Sequence, residues 1–241
     1  MSSASDRQCP RLGEIVRSVV FYAAFYGGTV PIVLAALVTL PFSTRAFKAS
    51  VHSWSRYHRF CARVLLGIGV RCEGRPSVGA VLYALRHESF FEAIDLPTLL
   101  PEPVVFAKAE LLRLPFWGAA GLRYGLVPVE RDQGARALRA MVTAAKSFAA
   151  TGRPLAIFPE GTRVAPGSSP PLQAGFAGLY KLIGLPVVPV AVASGGLYHR
   201  WWKRPGTVVF RFGEPIPAGL SRNEIEERVR TAIDALNPRG D

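Results

Sequence analysis

The period of the apolar positions changes twice along this chain. From Ser18 to Thr44 the residues are mostly apolar and none is charged (SVVFYAAFYGGTVPIVLAALVTLPFST), a length sufficient to cross a bilayer. Gly27, Gly28 and Pro31 stand in its middle, where they weaken a continuous helix. The run therefore predicts one kinked transmembrane helix or two short helices that dip into one leaflet and return. A buried pair of core helices remains an alternative, and so does a secretory signal, although no small-residue cleavage site follows the run. Basic residues flank both ends (Arg7, Arg11, Arg17; Arg45, Lys48), so charge asymmetry selects no orientation, and this symmetry favours the dip-and-return form. Next, Phe47, Val51, Trp54, His58, Cys61 and Leu65 recur every three or four residues as one helical stripe. Arg45, Lys48, Arg56, Arg59 and Arg63 surround it. That pattern suits a helix at the headgroup boundary, and equally an amphipathic helix packed on a domain.

Beyond residue 75 the pattern shortens to apolar runs bounded by Gly and Pro. Val78–Leu85, Val104–Ala107, Leu126–Val129, Leu155–Phe158, Val187–Ala193 and Thr207–Phe212 predict buried strands. Helical patterns fall between and after them, at Ser89–Leu100, Ala135–Ala150, Phe176–Ile183 and Arg222–Leu236. The last opens with Ser221 and Glu224 in capping-box spacing. The alternation predicts an α/β fold with a central sheet flanked by helices. We expect residues 1–70 to form a membrane-associated helical segment and residues 71–241 the α/β domain. Pro189 suggests an edge strand or a bulge. The breaker-rich stretch Val164–Pro171 predicts a loop, either a gate or a plain connector.

Composition narrows the classes. The chain has 241 residues, of which 49% are hydrophobic and 19% charged, which excludes a disordered protein. Only one uncharged run is long enough to span, which argues against a polytopic membrane protein. The net charge is +12, and with five lysines among 29 basic residues the excess is mostly arginine. Such a surface suits anionic lipid, phosphorylated substrates or nucleic acid. No helix-turn-helix, zinc-finger or RNA-binding signature accompanies the charge, and the apolar N-terminus fits lipid better. Cys9, Cys61 and Cys72 are odd in number and widely spaced, so neither a disulfide framework nor a zinc site is expected, and no catalytic metal.

Four clusters carry chemistry. Arg86-His87-Glu88-Ser89-Phe90-Phe91-Glu92 follows the first of these strands. His87 offers a general base, and Glu92 either an orienting carboxylate or the acidic half of a capping box with Ser89. Lys108-Ala109-Glu110-Leu111 is followed by Pro115, Gly118 and the run Gly125–Arg131; Arg113, Arg123 and Arg131 supply forks suited to phosphate. Phe158-Pro159-Glu160-Gly161-Thr162-Arg163 leaves a strand end as a tight turn, the usual place for a ligand in an open α/β sheet. Val187-Val188-Pro189-Val190 is the fourth.

In this order the clusters resemble the glycerophospholipid acyltransferase superfamily, in particular its 1-acyl-sn-glycerol-3-phosphate acyltransferase branch. The resemblance covers about Val78 to Glu214, and the intact FPEGTR block is its specific part. The family's H-x4-D block ends here in Glu92, one methylene longer; Asp95 is the alternative carboxylate. The Lys that often precedes the Gly after the long loop is replaced in Leu172-Gln173-Ala174-Gly175.

The resemblance implies a glycerolipid acyltransferase-like α/β domain and a membrane location, with the catalytic domain on the cytosolic side of the inner membrane. It implies that His87 deprotonates a lysophospholipid hydroxyl and that Glu92 fixes the imidazole. The alkoxide attacks an acyl thioester of coenzyme A or acyl carrier protein, with no other cofactor and no covalent acyl-enzyme. Ser89 is then a helix cap. Glu160, Gly161, Thr162 and Arg163 are expected to hold the glycerol phosphate, with Lys108 and Arg131 nearby. Expected partners are membrane lipids, the lysophospholipid acceptor and the acyl donor, and no nucleic acid. Another acceptor, such as an acylated amino-acid lipid of the ornithine type, is the alternative, and a catalytically silent membrane-binding scaffold is a third reading.

Overall fold

The computed structural model describes residues 10–77, 79–114, 117–130 and 134–237. Two helices lead, α1 (Leu12–Thr39) and α2 (Thr44–Cys61), and a single π turn (Ala62–Leu66) carries the chain into β1 (Ile68–Glu73). Then follow β2 (Leu82–Leu85), α3 (Phe91–Leu99), β3 (Val104–Lys108), α4 (Ala109–Leu112), α5 (Trp117–Tyr124) and β4 (Leu126–Val129). The chain closes with α6 (Gly134–Ala149), β5 (Leu155–Ile157), α7 (Ala174–Ile183), β6 (Val187–Ala193), α8 (Gly195–Tyr198), β7 (Gly206–Phe212) and α9 (Arg222–Ile233).

The strands form one sheet in the order β1-β7-β6-β2-β5-β3-β4. From β6 to β4 neighbouring strands are parallel, while β7 runs antiparallel to β6 and carries β1 parallel to itself. Successive strand side chains point to opposite faces, and each face has its own core. Tyr83, Leu85, Val190 and Phe210 pack with Phe21 and Phe25 of α1, Cys61 of α2 and Phe91 of α3. Leu82, Ala84 and Ile157 pack on the other face with Met141 of α6, Tyr180 of α7 and Val229 of α9. The expected α/β fold is therefore present, with helices on both faces and the N-terminal pair joined to one of its cores.

The structure decides two alternatives the sequence left open and corrects a third expectation. Gly27, Gly28 and Pro31 do not divide the apolar run, because α1 continues through them. Packing explains Gly28: a Cβ there would lie 2.2 Å from the Tyr57 hydroxyl, which donates to Ala24 O (2.8 Å). The bare backbone lets α2 close on α1. Second, the aromatic stripe of α2 turns inward, since Phe47, His58 and Cys61 are buried. Trp54 Nε1 donates to Thr29 Oγ1 of α1 (3.1 Å), and His58 Nε2 bonds the Tyr198 hydroxyl (2.7 Å). The stripe is thus a helix-packing face. Third, Pro189 lies in an interior strand between β7 and β2. Its carbonyl accepts from Gly213 N (2.8 Å), so its missing donor also faces β7, just beyond the recorded rungs of that ladder, and no bond toward β2 is lost. The strand expected at Val78–Leu85 is β2 and starts at Leu82, later than the apolar run; Val78 lies outside the described residues.

α1 is the one described helix long and apolar enough to cross a membrane, and 11% of its most apolar window is buried. α1 is therefore mostly uncovered by the rest of the protein, unlike a core helix. Gly27 and Gly28 give a direct test of the α1–α2 contact. A Cβ at Gly27 meets nothing within 4 Å, so Gly27→Ala should gain helix propensity, up to about 1 kcal/mol. Gly28→Ala should instead lower stability, by about 1–3 kcal/mol before that gain is counted. Thermal unfolding in detergent checks the opposite signs; equal shifts would mean Tyr57 does not seat on Gly28.

Candidate active site

The strand order decides which motifs meet. β2 pairs in parallel with both β5 and β6, so their C-terminal ends share one edge of the sheet. His87 leaves β2 there, Pro159–Arg163 follows β5, and Ser194 follows β6. Clusters about seventy residues apart in sequence thereby converge.

His87 is fixed from several sides. Its ring stacks on Phe158 with centroids 4.2 Å apart. Its backbone N–H donates to Glu160 Oε2 (2.8 Å), and its carbonyl accepts from Val164 N (2.7 Å). Its Nδ1 lies 3.0 Å from Glu92 Oε1. A carboxylate accepts, so Nδ1 carries hydrogen, and Nε2 is the basic nitrogen left for the cavity.

Glu92 is fully buried and makes the contacts of both arrangements considered for it. Oε1 takes the imidazole and also the N–H groups of Glu88 and Ser89 (2.6 Å each) at the start of α3. Oε2 accepts from the hydroxyls of Ser89 (2.9 Å) and Ser194 (2.7 Å). Burial alone would raise the pKa of this carboxyl; the His87 contact and the Ser89 and Ser194 bonds outweigh it, and the net direction is down. Asp95, the alternative carboxylate, forms a bidentate pair with Arg59 of α2 and plays no part in holding the imidazole. Ser89 is buried, with its hydroxyl shared among Glu92, Ser194 and Phe91 N, an arrangement of a cap.

The remaining expected site residues divide. Gly161, Thr162, Arg163 and Lys108 line the cavity into which His87 faces. The Arg163 guanidinium lies 4.1 Å from the centre of the exposed Phe90 ring. Glu160 does not join them. It is 3% exposed, its carboxylate holds the His87 backbone, and Arg86 Nη1 lies 3.5 Å from its other oxygen. Its place is beneath the site, where it positions His87. Arg131 lies outside the described residues. Gln173, at the position of the family Lys, lines the cavity and donates to Glu160 O (3.3 Å).

Arg86 and Glu88 have roles the sequence did not disclose. Arg86 is completely buried; it pairs with Glu88 (2.8 Å) and with Asp234 after α9, and donates to Ser168 O (2.8 Å). The breaker-rich loop is thereby tied to the core, as a fastened connector. Glu88 Oε2 accepts from Ser194 N and Gly195 N (2.9 Å each), which brings the end of β6 against the dyad. Nothing in the sequence marks Ser194, which lies over a hundred positions from its partners. Among the described residues no three His, Cys, Asp or Glu side chains gather as a metal site.

The cavity measures about 1140 Å³ and its walls are mainly apolar. α1 and α2 supply Ile32, Val33, Phe47 and Trp54, and α5 and α6 close other sides with Trp117, Tyr124, Leu138 and Met141. His87, Lys108 and Arg163 are its chemically active part. A basic nitrogen on a buried carboxylate, opening on a long apolar chamber with cations beside it, is equipped for acyl transfer to an alcohol.

The chain belongs to the acyltransferase family, which matches residues 69–193, and to its lysophosphatidic acid acyltransferase type. A relative from Pseudomonas aeruginosa named 1-acyl-sn-glycerol-3-phosphate acyltransferase is 30% identical over 215 residues, 85% of this chain and 82% of that protein. The human 1-acyl-sn-glycerol-3-phosphate acyltransferase beta is 30% identical over 68% of this chain and 59% of its own. The crystal structure of the 1-acyl-sn-glycerophosphate acyltransferase from Thermotoga maritima superposes with a TM-score of 0.74 at 22% identity, covering 95% of this chain and 99% of that one, and shows the same fold.

Three carboxylates, from Glu88, Glu160 and Asp234, surround the one Arg86 guanidinium. Burial above all, helped by Asp234 and Glu88 and opposed by the His87 N–H and Arg86, pushes the Glu160 carboxyl up to about 7. A folded pKa above the unfolded value means the native state binds the proton more tightly. This contribution to stability is fully present below the unfolded pKa and is lost as pH rises through about 7. Glu160→Gln keeps an acceptor for His87 N–H and cannot titrate. Unfolding measured at about pH 5 and about pH 8 should show wild type losing stability relative to this variant; parallel behaviour would mean Glu160 titrates as an ordinary carboxyl.

Proposed function

We propose that the protein moves a fatty acyl group from a thioester donor, coenzyme A or acyl carrier protein, to the sn-2 hydroxyl of 1-acyl-sn-glycerol-3-phosphate, giving phosphatidic acid. The observation that carries this reading is the His87–Glu92 pair, 3.0 Å apart, opening on an apolar cavity with Lys108 and Arg163 on its wall. His87 Nε2 removes the proton as the acceptor oxygen attacks the thioester carbonyl. Glu92 stabilises the imidazolium through Nδ1. When the tetrahedral adduct collapses, the carbon–sulfur bond breaks and the imidazolium returns the proton to the thiolate. Arg163, Lys108 and Arg131 serve as the cations for the acceptor phosphate, and the apolar chamber takes acyl chain. The relatives' names and the FPEGTR turn, with Arg163 on the cavity wall, support this acceptor over other lysolipids.

The protein works at a membrane surface, on the cytosolic side. α1 exposes Val16, Val19, Val20, Val30, Leu34 and Val38 along one side. Its other sides are occupied: Phe21 and Phe25 enter the core, while Ile32 and Ala36 line the cavity. A spanning orientation would draw the catalytic sheet into hydrocarbon with it. Lying along one leaflet, α1 exposes only its apolar side to lipid.

Acyl transfer from acyl-coenzyme A and from acyl carrier protein to 1-acylglycerol-3-phosphate tests the reaction. His87→Ala should reduce kcat/KM by at least about 100-fold. Glu92→Gln should also lose most activity, and Arg163→Ala should chiefly raise KM for the acceptor. Full activity in Glu92→Gln with a lowered Tm would leave that carboxylate as a helix cap alone. Inactivity of wild type with both donors would shift the assignment to another lysolipid acceptor.

A further inference from the structure

The segment from Ser194 to Phe212 contains no acidic residue and includes Arg200, Trp201, Trp202, Lys203 and Arg204. Its 199–205 loop joins α8 to β7, far from α1 in sequence, yet it is fastened along α1 at successive turns. Arg204 Nε lies 3.7 Å from Glu14 Oε1, Lys203 N donates to Ser18 Oγ (2.8 Å), and the Tyr22 hydroxyl donates to Trp201 O (2.6 Å). Positions 14, 18 and 22 form one helical stripe. Lys203 reinforces the joint from within. Its ammonium is buried, bonded to the carbonyls of Tyr198 and Arg200, and lies 4.3 Å from the centre of the Tyr198 ring.

The loop therefore borders the exposed side of α1 on one flank, as α2 borders it on the other through Tyr57 and Ala24. The Trp201 backbone is anchored while its side chain is 83% exposed. Next to it, Tyr22 stacks with Tyr26, which is 62% exposed, and the row continues into Val19 and Val30. A fixed, exposed indole beside tyrosines, on a protein of net charge +12, has the chemistry of the headgroup layer of an anionic bilayer.

We propose that the 199–205 loop is a second membrane contact, which seats Trp201 among anionic headgroups and clamps α1 and the catalytic sheet to the bilayer as one rigid face. This rests on the membrane reading of α1 given above, and adds an element from the catalytic domain itself. A loop built into the sheet fixes the height of the cavity relative to the lipid, which a helix hairpin alone would leave free to tilt.

The test uses the full chain diluted from detergent onto vesicles of phosphatidylcholine with or without phosphatidylglycerol. Flotation measures binding, and quenching by lipids brominated near the headgroup measures depth. Subtracting the Trp201→Phe spectrum from wild type isolates Trp201. Its emission should shift to the blue on anionic vesicles and be quenched, and Trp201→Ala should weaken binding roughly 10-fold, with Tm unchanged in detergent as the control for folding. A Trp201 signal that stays water-like in protein that floats overturns the loop contact and leaves α1 as the membrane element. Protein that floats with neither vesicle, or that floats equally well as Val20→Asp, overturns the α1 reading and the loop contact with it.

Discussion

One buried carboxylate organises the centre of this molecule. Glu92 receives the His87 imidazole, two backbone N–H groups at the start of α3 and two serine hydroxyls. A buried charge with fewer partners would take up a proton and lose its hold on the imidazole. The donors come from the turn after β2 and from the end of β6, so the sheet has to be assembled before Glu92 can be ionised in place. Helix capping and base orientation, which looked like competing roles, are the same set of hydrogen bonds. The extra methylene relative to the aspartate of the family pattern is compatible with this, because Ser194 meets the second oxygen.

Much of this was legible in advance. The parallel strands were short apolar runs between breakers, and the positions of β3, β4 and β6 follow those runs closely. The α9 capping box holds as spaced, with Glu224 N to Ser221 Oγ and Ser221 N to Glu224 Oε2. β1 was missed because Ile68-Gly69-Val70-Arg71-Cys72-Glu73 sits at an edge of the sheet and lacks the apolar density of a buried strand. The short helices α4, α5 and α8 carry too few turns for a periodic signal. In the site, the dyad and the turn after β5 were visible as motifs. The direction of the Glu160 side chain was not, because a motif fixes residue type and leaves open which side of the backbone faces the ligand.

The inward turn of the α2 stripe changes what the N-terminal helices are for. Apolar periodicity reports that a face is dry, and it does not say whether protein or lipid dries it. Here Phe47, Trp54, Thr29 and Ile32 form cavity wall, so the two N-terminal helices complete the apolar chamber of the site. Arg59 on α2 pairs with Asp95 on α3, and Ser55 donates to Ile94 O (2.8 Å), which joins the same helix pair to the helix that Glu92 caps. The N-terminal helix pair, the cavity wall and the placement of Glu92 thus share one mechanical frame.

The buried Arg86 cluster completes that frame from the opposite side of the active-site loop. A guanidinium with no solvent contact must be neutralised, and Glu88, Glu160 and Asp234 do so from the loop after β2, the turn after β5 and the end of α9. Burial is the main reason Glu160 holds a proton more tightly than an exposed glutamate, and the neighbouring carboxylates of Asp234 and Glu88, which share the one cation with it, add to the effect. Its hydrogen bond to the His87 backbone is made by whichever form is present, since either form keeps a lone pair for the N–H. The position of His87 is therefore insulated from the titration of the residue that holds it, while the pKa of the imidazole's own partner, Glu92, is held down by separate donors. The two glutamates near His87 occupy opposite regimes, one ionised to orient the base and one buried to hold the backbone, and that separation comes from the count of hydrogen-bond donors around each.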